Sequence, residues 1–286
     1  MERIAVTGAT GGVGGRVARR LADAGVAQRL VVRDPARAPD LDNADVVVAR
    51  YADAEAMRRA LDGIETLFFV SAAEAADRLE QHKTAVDAAS SAGVRRIVYV
   101  SFLGAAPQAT FTLARQHWAT EEHIRASGVR FTFLRDSLYS DFLPLMVGAD
   151  RMIRGPAGDG AASVVARDDI ADVAVAVLLD DGGHDGTTYD VTGPQALTMA
   201  EMAEELSRAV GQPIRYVNET LEEAYASRAS YGAPDWEVEG WVTSYAAIAA
   251  GELATVSDTV RRVAGHEATS LAEQLRRYPD SYQHLR

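Results

Sequence analysis

The chain has 286 residues, with 41 Asp and Glu against 29 Lys and Arg, a formal net charge of −12 and no cysteine. Without a thiol there can be no cysteine nucleophile, disulfide or thiolate metal site, and so acidic a chain is a poor partner for nucleic acid or an anionic membrane. Lys83 is the single lysine, so any mechanism that needs a lysine amine must use it.

Residues 3–7 form a short apolar run, starting at Arg3, that ends in a glycine cluster. Residues 13–24 have helical spacing (Val13, Val17, Leu21) and stop at Gly25, a suitable C-terminal glycine. Short apolar runs follow at 29–33 and 45–49. Asp53 is placed to cap a helix over 54–61. Residues 66–70 form a fourth buried run, 82–92 a helix, 96–101 a fifth strand, 112–126 a helix and 131–134 a sixth strand. Beyond Ser137 the rhythm loosens. Helices are expected at 168–179, 198–210, 221–227 and 242–251, and strands at 188–191 and 214–217, with Asp168 as an N-cap.

Strands that alternate with helices predict βαβ units. Continuous apolar strands predict a parallel sheet covered on both faces. The expected fold is α/β, a doubly wound parallel sheet over residues 1–140, with 164–192 returning to it. Residues 141–286 mainly form a smaller, interleaved lobe. No apolar run approaches the roughly 20 residues that span a bilayer, and the N-terminus offers no signal-peptide pattern. The expectation is a cytoplasmic protein that does not engage membranes, either a monomer or a homodimer.

Gly8, Gly11 and Gly14 stand at GxxGxxG spacing between the first strand and the first helix. Such a loop brings backbone N–H groups and a helix N-terminus against a pyrophosphate. Gly8, Thr10, Gly11, Gly12, Val13 and Gly14 are therefore assigned to a dinucleotide. Where an NAD site usually carries an acid after the second strand, this chain has Arg33, with Arg37 four residues on. The pair suits a 2′-phosphate and favours NADP(H); Asp34 leaves NAD(H) open.

Many dinucleotide enzymes of this layout use a Tyr-x-x-x-Lys pair after the fifth strand. Here those slots hold Leu113 and His117, and Leu79 precedes Lys83 by four. Two routes remain. The protein senses a dinucleotide without turnover, or its acceptor accepts a hydride with little acid catalysis, as quinones and cationic dyes do.

The segments Ala5-Val6-Thr7-Gly8-Ala9-Thr10-Gly11, Val32-Arg33-Asp34-Pro35, His117-Trp118-Ala119-Thr120-Glu121 and 132–142, with its Leu-Arg-x-x-x-Tyr-x-x-Phe pattern, resemble the NmrA-like group of atypical short-chain dehydrogenases. The resemblance is nearest to the type 2 NADPH:quinone oxidoreductases and triphenylmethane reductase. It implies a Rossmann domain with a small substrate lobe, NADPH as cofactor, and hydride transfer to a quinone or similar planar aromatic acceptor. A redox-sensing regulator and a tailoring oxidoreductase or oxygenase of an aromatic polyketide quinone are the alternatives. The chain departs from the pattern at Asp136, where the group usually has Asn, at Arg50, where relatives often have Asp, and at Gly12-Val13, which replaces Gln-Leu.

Strand carboxyl ends face the ligand crevice of such a sheet. Val70, Ser71, Ser101 and Asp136 are therefore expected beside the cofactor. Tyr139 is the leading polar group for the acceptor, as donor, ring wall or core residue. His117 is expected to deliver a proton near neutral pH or else to bond a strand end. Phe102, Trp118, Phe142, Met146 and Trp236, with Tyr139, are candidates for a flat apolar slot. His82 and His123 are expected on helix surfaces. No His, Asp or Glu spacing suggests a metal.

Overall fold

A computed structural model describes residues 4–180 and 182–286; Arg3, expected to start the first strand, lies outside them. The chain divides into two compact units. The first comprises Met1–Phe102, Gln116–Arg135 and Ile170–Tyr189, and the second Leu103–Arg115, Asp136–Asp169 and Asp190–Arg286.

In chain order the elements are β1 (Ile4–Thr7), α1 (Gly12–Asp23), β2 (Gln28–Val32), β3 (Ala44–Val48), α2 (Ala54–Ala60), β4 (Thr66–Val70), α3 (Arg78–Ser91), β5 (Arg96–Phe102), α4 (Thr112–Ala126) and β6 (Arg130–Asp136). They continue as β7 (Met152–Gly155), β8 (Ala161–Ala162), α5 (Arg167–Leu179), β9 (Thr187–Val191), β10 (Leu197–Thr198), α6 (Met199–Val210), β11 (Arg215–Asn218), α7 (Leu221–Arg228), α8 (Asp235–Ala249) and α9 (Leu271–Arg277).

The main sheet has strand order β3-β2-β1-β4-β5-β6-β9, with parallel registers such as Ile4 opposite Gln28 and Thr66. Gly186 N–H bonds to the Phe131 carbonyl and Ser137 N–H to that of Val191, so β9 ascends with β6. Every residue of β1 and β5 is buried, which explains the runs without charge at 4–7 and 97–102. The order reverses between β1 and β4, and open α/β sheets bind ligands outside the strand carboxyl ends at such a switch. Leu67, Phe69, Val86, Ile97, Ile124 and Phe133 are wholly buried in the first unit's core.

The second unit contains the antiparallel pair β8–β10 and the parallel pair β7–β11. Its helices start on strong local signals. Thr198 with Glu201 and Thr220 with Glu223 form reciprocal capping boxes on α6 and α7. Among the described residues no helix is long and apolar enough to cross a membrane.

Several sequence expectations shift. α3 begins at Arg78 and not at residue 82, so His82 lies one turn inside the helix and not at its start, and it is fully buried. Its surface assignment is thereby corrected. α8 begins at Asp235, seven residues before the expected start. Asp168 does not cap α5, because the helix already includes Arg167, whose N–H is taken by the Asp141 carboxylate at 3.0 Å.

Candidate functional site

The first unit carries the glycine loop. Gly8 has φ +64°, and a Cβ there would lie 3.0 Å from the Val70 Cβ; a Cβ on Gly14 would lie 2.4 Å from the Gly8 carbonyl oxygen. Glycine is therefore needed twice, for a left-handed turn and for the close seating of α1 on that turn. Gly11 N–H bonds back to Gly8 O at 2.8 Å. The α1 N-cap, Gly11, has no side-chain hydrogen bond, and no acid occupies the first turn. The positive end of the helix is thus left for an anion. Gly11 and Gly12 are exposed, Thr10 is half-buried, and Val13 is turned into the core. This backbone cradle fits a dinucleotide pyrophosphate.

Arg33 and Arg37 are exposed just past β2. Asp34 accepts the Ala36 N–H at 3.0 Å as cap of the short 3₁₀ turn Pro35–Arg37. One oxygen of the only acid in that stretch is therefore committed to the backbone, while two guanidinium groups face solvent.

The segment after β4 is tied down by side chains. Val70 N–H donates to Thr7 Oγ1 (2.9 Å), and its carbonyl accepts from the Tyr51 hydroxyl (2.7 Å). Ala72 N–H donates to His82 Nε2 (2.8 Å), and its carbonyl accepts from Arg78 Nε (2.9 Å). Because a backbone N–H can only donate, His82 carries its proton on Nδ1, and that N–H donates to Thr120 Oγ1 at 2.9 Å; the hydroxyl donates in turn to Gln116 O. Burial, reinforced by the Arg78 charge, holds His82 well below its ordinary pKa.

His117 belongs to the same network. Arg78 Nη2 lies 2.9 Å from its Nε2. A guanidinium cannot accept, so Nδ1 bears the proton and reaches the Tyr99 oxygen at 3.0 Å. Burial first, then Arg78, His82 and Arg135, push its pKa well down. His117 is therefore a neutral group with both nitrogens engaged, which corrects the expectation that it titrates near neutral pH. The Phe102 ring packs 6.0 Å from it, and Trp118 is half-buried one residue on.

Ser101 is wholly buried and donates to Glu121 Oε1 at 2.6 Å. Arg135 clamps the same carboxylate at 2.8 and 2.6 Å. The Ser101 hydroxyl thus serves the junction of β5, β6 and α4. The lone lysine, Lys83, pairs with Glu80 at 2.8 Å along α3.

In the second unit Tyr139 donates to Asp136 Oδ2 at 3.1 Å. Tyr139 is half-buried, whereas Asp136 is only 2% exposed. Burial drives the Asp136 pKa well above the ordinary carboxylate range; Tyr139 and the Arg167 charge oppose the shift without cancelling it. The Arg167 guanidinium lies over the Tyr139 ring, 4.6 Å from its centre. A parallel bridge between Tyr139 and Val165 fixes the backbone. Phe142 and Met146 follow on the 3₁₀ segment Ser140–Met146, with Phe142 half exposed, and Trp236 is half-buried at the start of α8. The unit thus brings together Asp136 and Tyr139 and adds Arg167.

Sequence reasoning missed Arg167, Arg78 and His82. Nothing local marks Arg167, whose role depends on a bridge to a distant strand end. A polar i, i+4 pair on one helix was the only signal for the other two.

Residues 8–181 match the family model described as NAD(P)H-binding. The chain is 34% identical to quinone oxidoreductase 2 of Escherichia coli over 279 residues, covering 95% of this chain and 97% of that one. The crystal structure of that NADPH-dependent quinone oxidoreductase in complex with NADPH superposes with a TM-score of 0.86 at 33% identity, covering 96% and 99%. NAD(P)H azoreductase of Xenophilus azovorans is 34% identical over 276 residues, 94% and 96% of the two chains. Triphenylmethane reductase of Citrobacter sp., complexed with NADP(H), has a TM-score of 0.84 at 31% identity, covering 96% and 99%. On this fold and these relatives, the chain belongs to the NAD(P)H-binding family, as an NAD(P)H-dependent oxidoreductase.

Proposed function

We propose that the chain uses NADPH to reduce a quinone or a similarly planar, conjugated aromatic acceptor in the cytoplasm, without a tyrosine–lysine pair. When bound, NADPH supplies the hydride. Gly8, Thr10, Gly11, Gly12, Val13 and Gly14 form the seat of the pyrophosphate, Val70 and Ser71 border the cofactor, and Arg33 and Arg37 take the 2′-phosphate through charge-assisted bonds. The partial commitment of Asp34 to its own turn supports NADPH over NADH.

The observation that carries the reading is the Tyr139 hydroxyl held 3.1 Å from a buried carboxyl. The Asp136 carboxyl, its pKa raised by burial, keeps its proton and replaces the one Tyr139 gives to the acceptor oxygen. Arg167, stacked on the ring, favours the phenolate that exists between the two transfers. A carboxylic acid thus stands in for the usual lysine, and demand on it is low because a reduced quinone becomes aromatic. His117, neutral and doubly bonded, orients Arg78. Phe102 and Trp118 in the first unit, and Phe142, Met146 and Trp236 in the second, are the apolar side chains each unit offers to a flat ring system. Orientation in a dry site provides most of the rate.

The test is NADPH oxidation, followed by absorbance, against a panel of quinones, azo dyes and triphenylmethane dyes. Turnover of at least one class is expected. Tight NADPH binding with no turnover of any would turn the reading toward a dinucleotide sensor.

A further inference from the structure

We propose that Arg78 and His82 are positioning residues of the cofactor site: acting through the backbone of Ala72, they fix the segment that follows β4 against the glycine loop. The inference deepens the cofactor reading above and rests on it, since it takes the end of β4 as one wall of the NADPH site.

The geometry is a clamp on a main-chain segment. Arg78 and His82 stand four residues apart on α3, so they share one face of the helix. One takes the Ala72 carbonyl and the other its N–H. Thr7 and Tyr51 take both polar groups of Val70. Four side chains therefore hold four peptide groups on two alternate residues. Val70 is also the residue on which Gly8 rests, with no room for a Cβ between them. A shift of residues 70–72 would be felt directly in the glycine loop, and both lie at the switch point of the sheet.

Each partner of the clamp is itself fixed. Arg78 is 3% exposed and His82 is fully buried. Gln116 and His117 orient the guanidinium, and Thr120 orients the imidazole. A loop that needed only to be closed off would not require a second layer of buried polar groups.

The His82 bond has a chemical condition. Nε2 must be bare to accept the Ala72 N–H, and a protonated imidazole has no acceptor. The groups that face His82 are Arg78 on its own helix, Tyr51 after β3, Tyr99 on β5, and His117 and Thr120 on α4. None is a carboxylate that would welcome a second proton. Burial and the Arg78 charge hold the His82 pKa well below its ordinary value, so the imidazole stays a bare acceptor at neutral pH and the clamp holds there.

The experiment is NADPH binding by nicotinamide fluorescence on the full chain at about pH 7.5, with melting temperatures in parallel. His82→Gln places an amide oxygen where Nε2 accepts and is expected to keep the wild-type affinity. His82→Leu should bind NADPH about tenfold more weakly, the cost of one lost buried hydrogen bond. Two results would overturn the proposal: folded His82→Leu with wild-type affinity, or folded His82→Gln that binds as weakly as His82→Leu. If His82→Leu does not fold, His82→Asn, too short to reach the Ala72 N–H, takes its place in both comparisons. Since the readout is binding, failure of quinone turnover would count against the proposed reaction and leave the clamp standing.

Discussion

The end of β4 and the segment 136–146 solve opposite problems. At β4 the peptide groups of Val70 and Ala72 are all committed, and Thr7, Arg78 and His82, which hold three of the four, are almost wholly buried. Between residues 136 and 146, Tyr139 is only half-buried, Phe142 and Leu145 are 50% and 62% exposed, and the buried hydroxyls of Ser137 and Ser140 have no protein partner. A site for one invariant ligand gains from saturation of every polar group, because each fixed peptide is preorganised at no cost when the ligand arrives. A site for acceptors of varied shape gains from mobile apolar surface and from polar groups with bonding capacity in reserve. Under the proposed function the saturated segment serves the reductant and the open one the oxidant; the relatives are named for quinones, azo compounds and triphenylmethane dyes.

The contrast can be broken from either side. A methyl on the rigid side should do the most damage. Gly14→Ala places a Cβ against the Gly8 carbonyl, and NADPH affinity should fall roughly a hundredfold in a fluorescence titration. Removing Arg33 and Arg37 together should weaken NADPH by about thirtyfold and leave NADH within about twofold; equal losses for both cofactors would refute the 2′-phosphate assignment. On the tolerant side, Tyr139→Phe should lower kcat about tenfold with NADPH affinity unchanged. Phe142→Ala should change KM by only about threefold, in one direction for small quinones and the other for bulky dyes.

Acidity separates the two regions by sign. His82 and His117 have depressed pKa values in the fold, so below about pH 6.5 the unfolded chain binds protons that the folded chain refuses. Stability should be fully present above that pH and decline as it falls. Asp136 acts oppositely. Its pKa is raised in the fold, so its contribution is present at low pH and is lost as pH rises through the folded value. Asp136→Asn should therefore raise the melting temperature at about pH 8, and His82→Gln should flatten the acid limb of the wild-type curve.

The parallel sheet and the glycine cradle were legible because they rest on local necessity: β1 is apolar up to Thr7, and a Cβ is forbidden at Gly8 and Gly14. The clamp and the Asp136–Tyr139–Arg167 cluster were not, since each joins residues far apart in the chain. The burial of His82 is hidden from the sequence because no capping side chain marks the start of α3 at Arg78, four residues before it. The two-residue strands β8 and β10 carry no period that a pattern search could find. α9 could have been read, for Ser270-Leu271-Ala272-Glu273 is a capping signal and the Ser270 hydroxyl does accept the Glu273 N–H.

The lone lysine has a practical use. Lys83 follows His82 directly on α3, and its side chain is 36% exposed beside Glu80. Apart from the chain's α-amino group, an amine-reactive fluorophore has a single attachment point on the protein. A dye there sits on the helix that carries Arg78 and His82, so the wild-type chain can report NADPH binding and acidification as changes in emission, with no cysteine introduced and no native residue replaced.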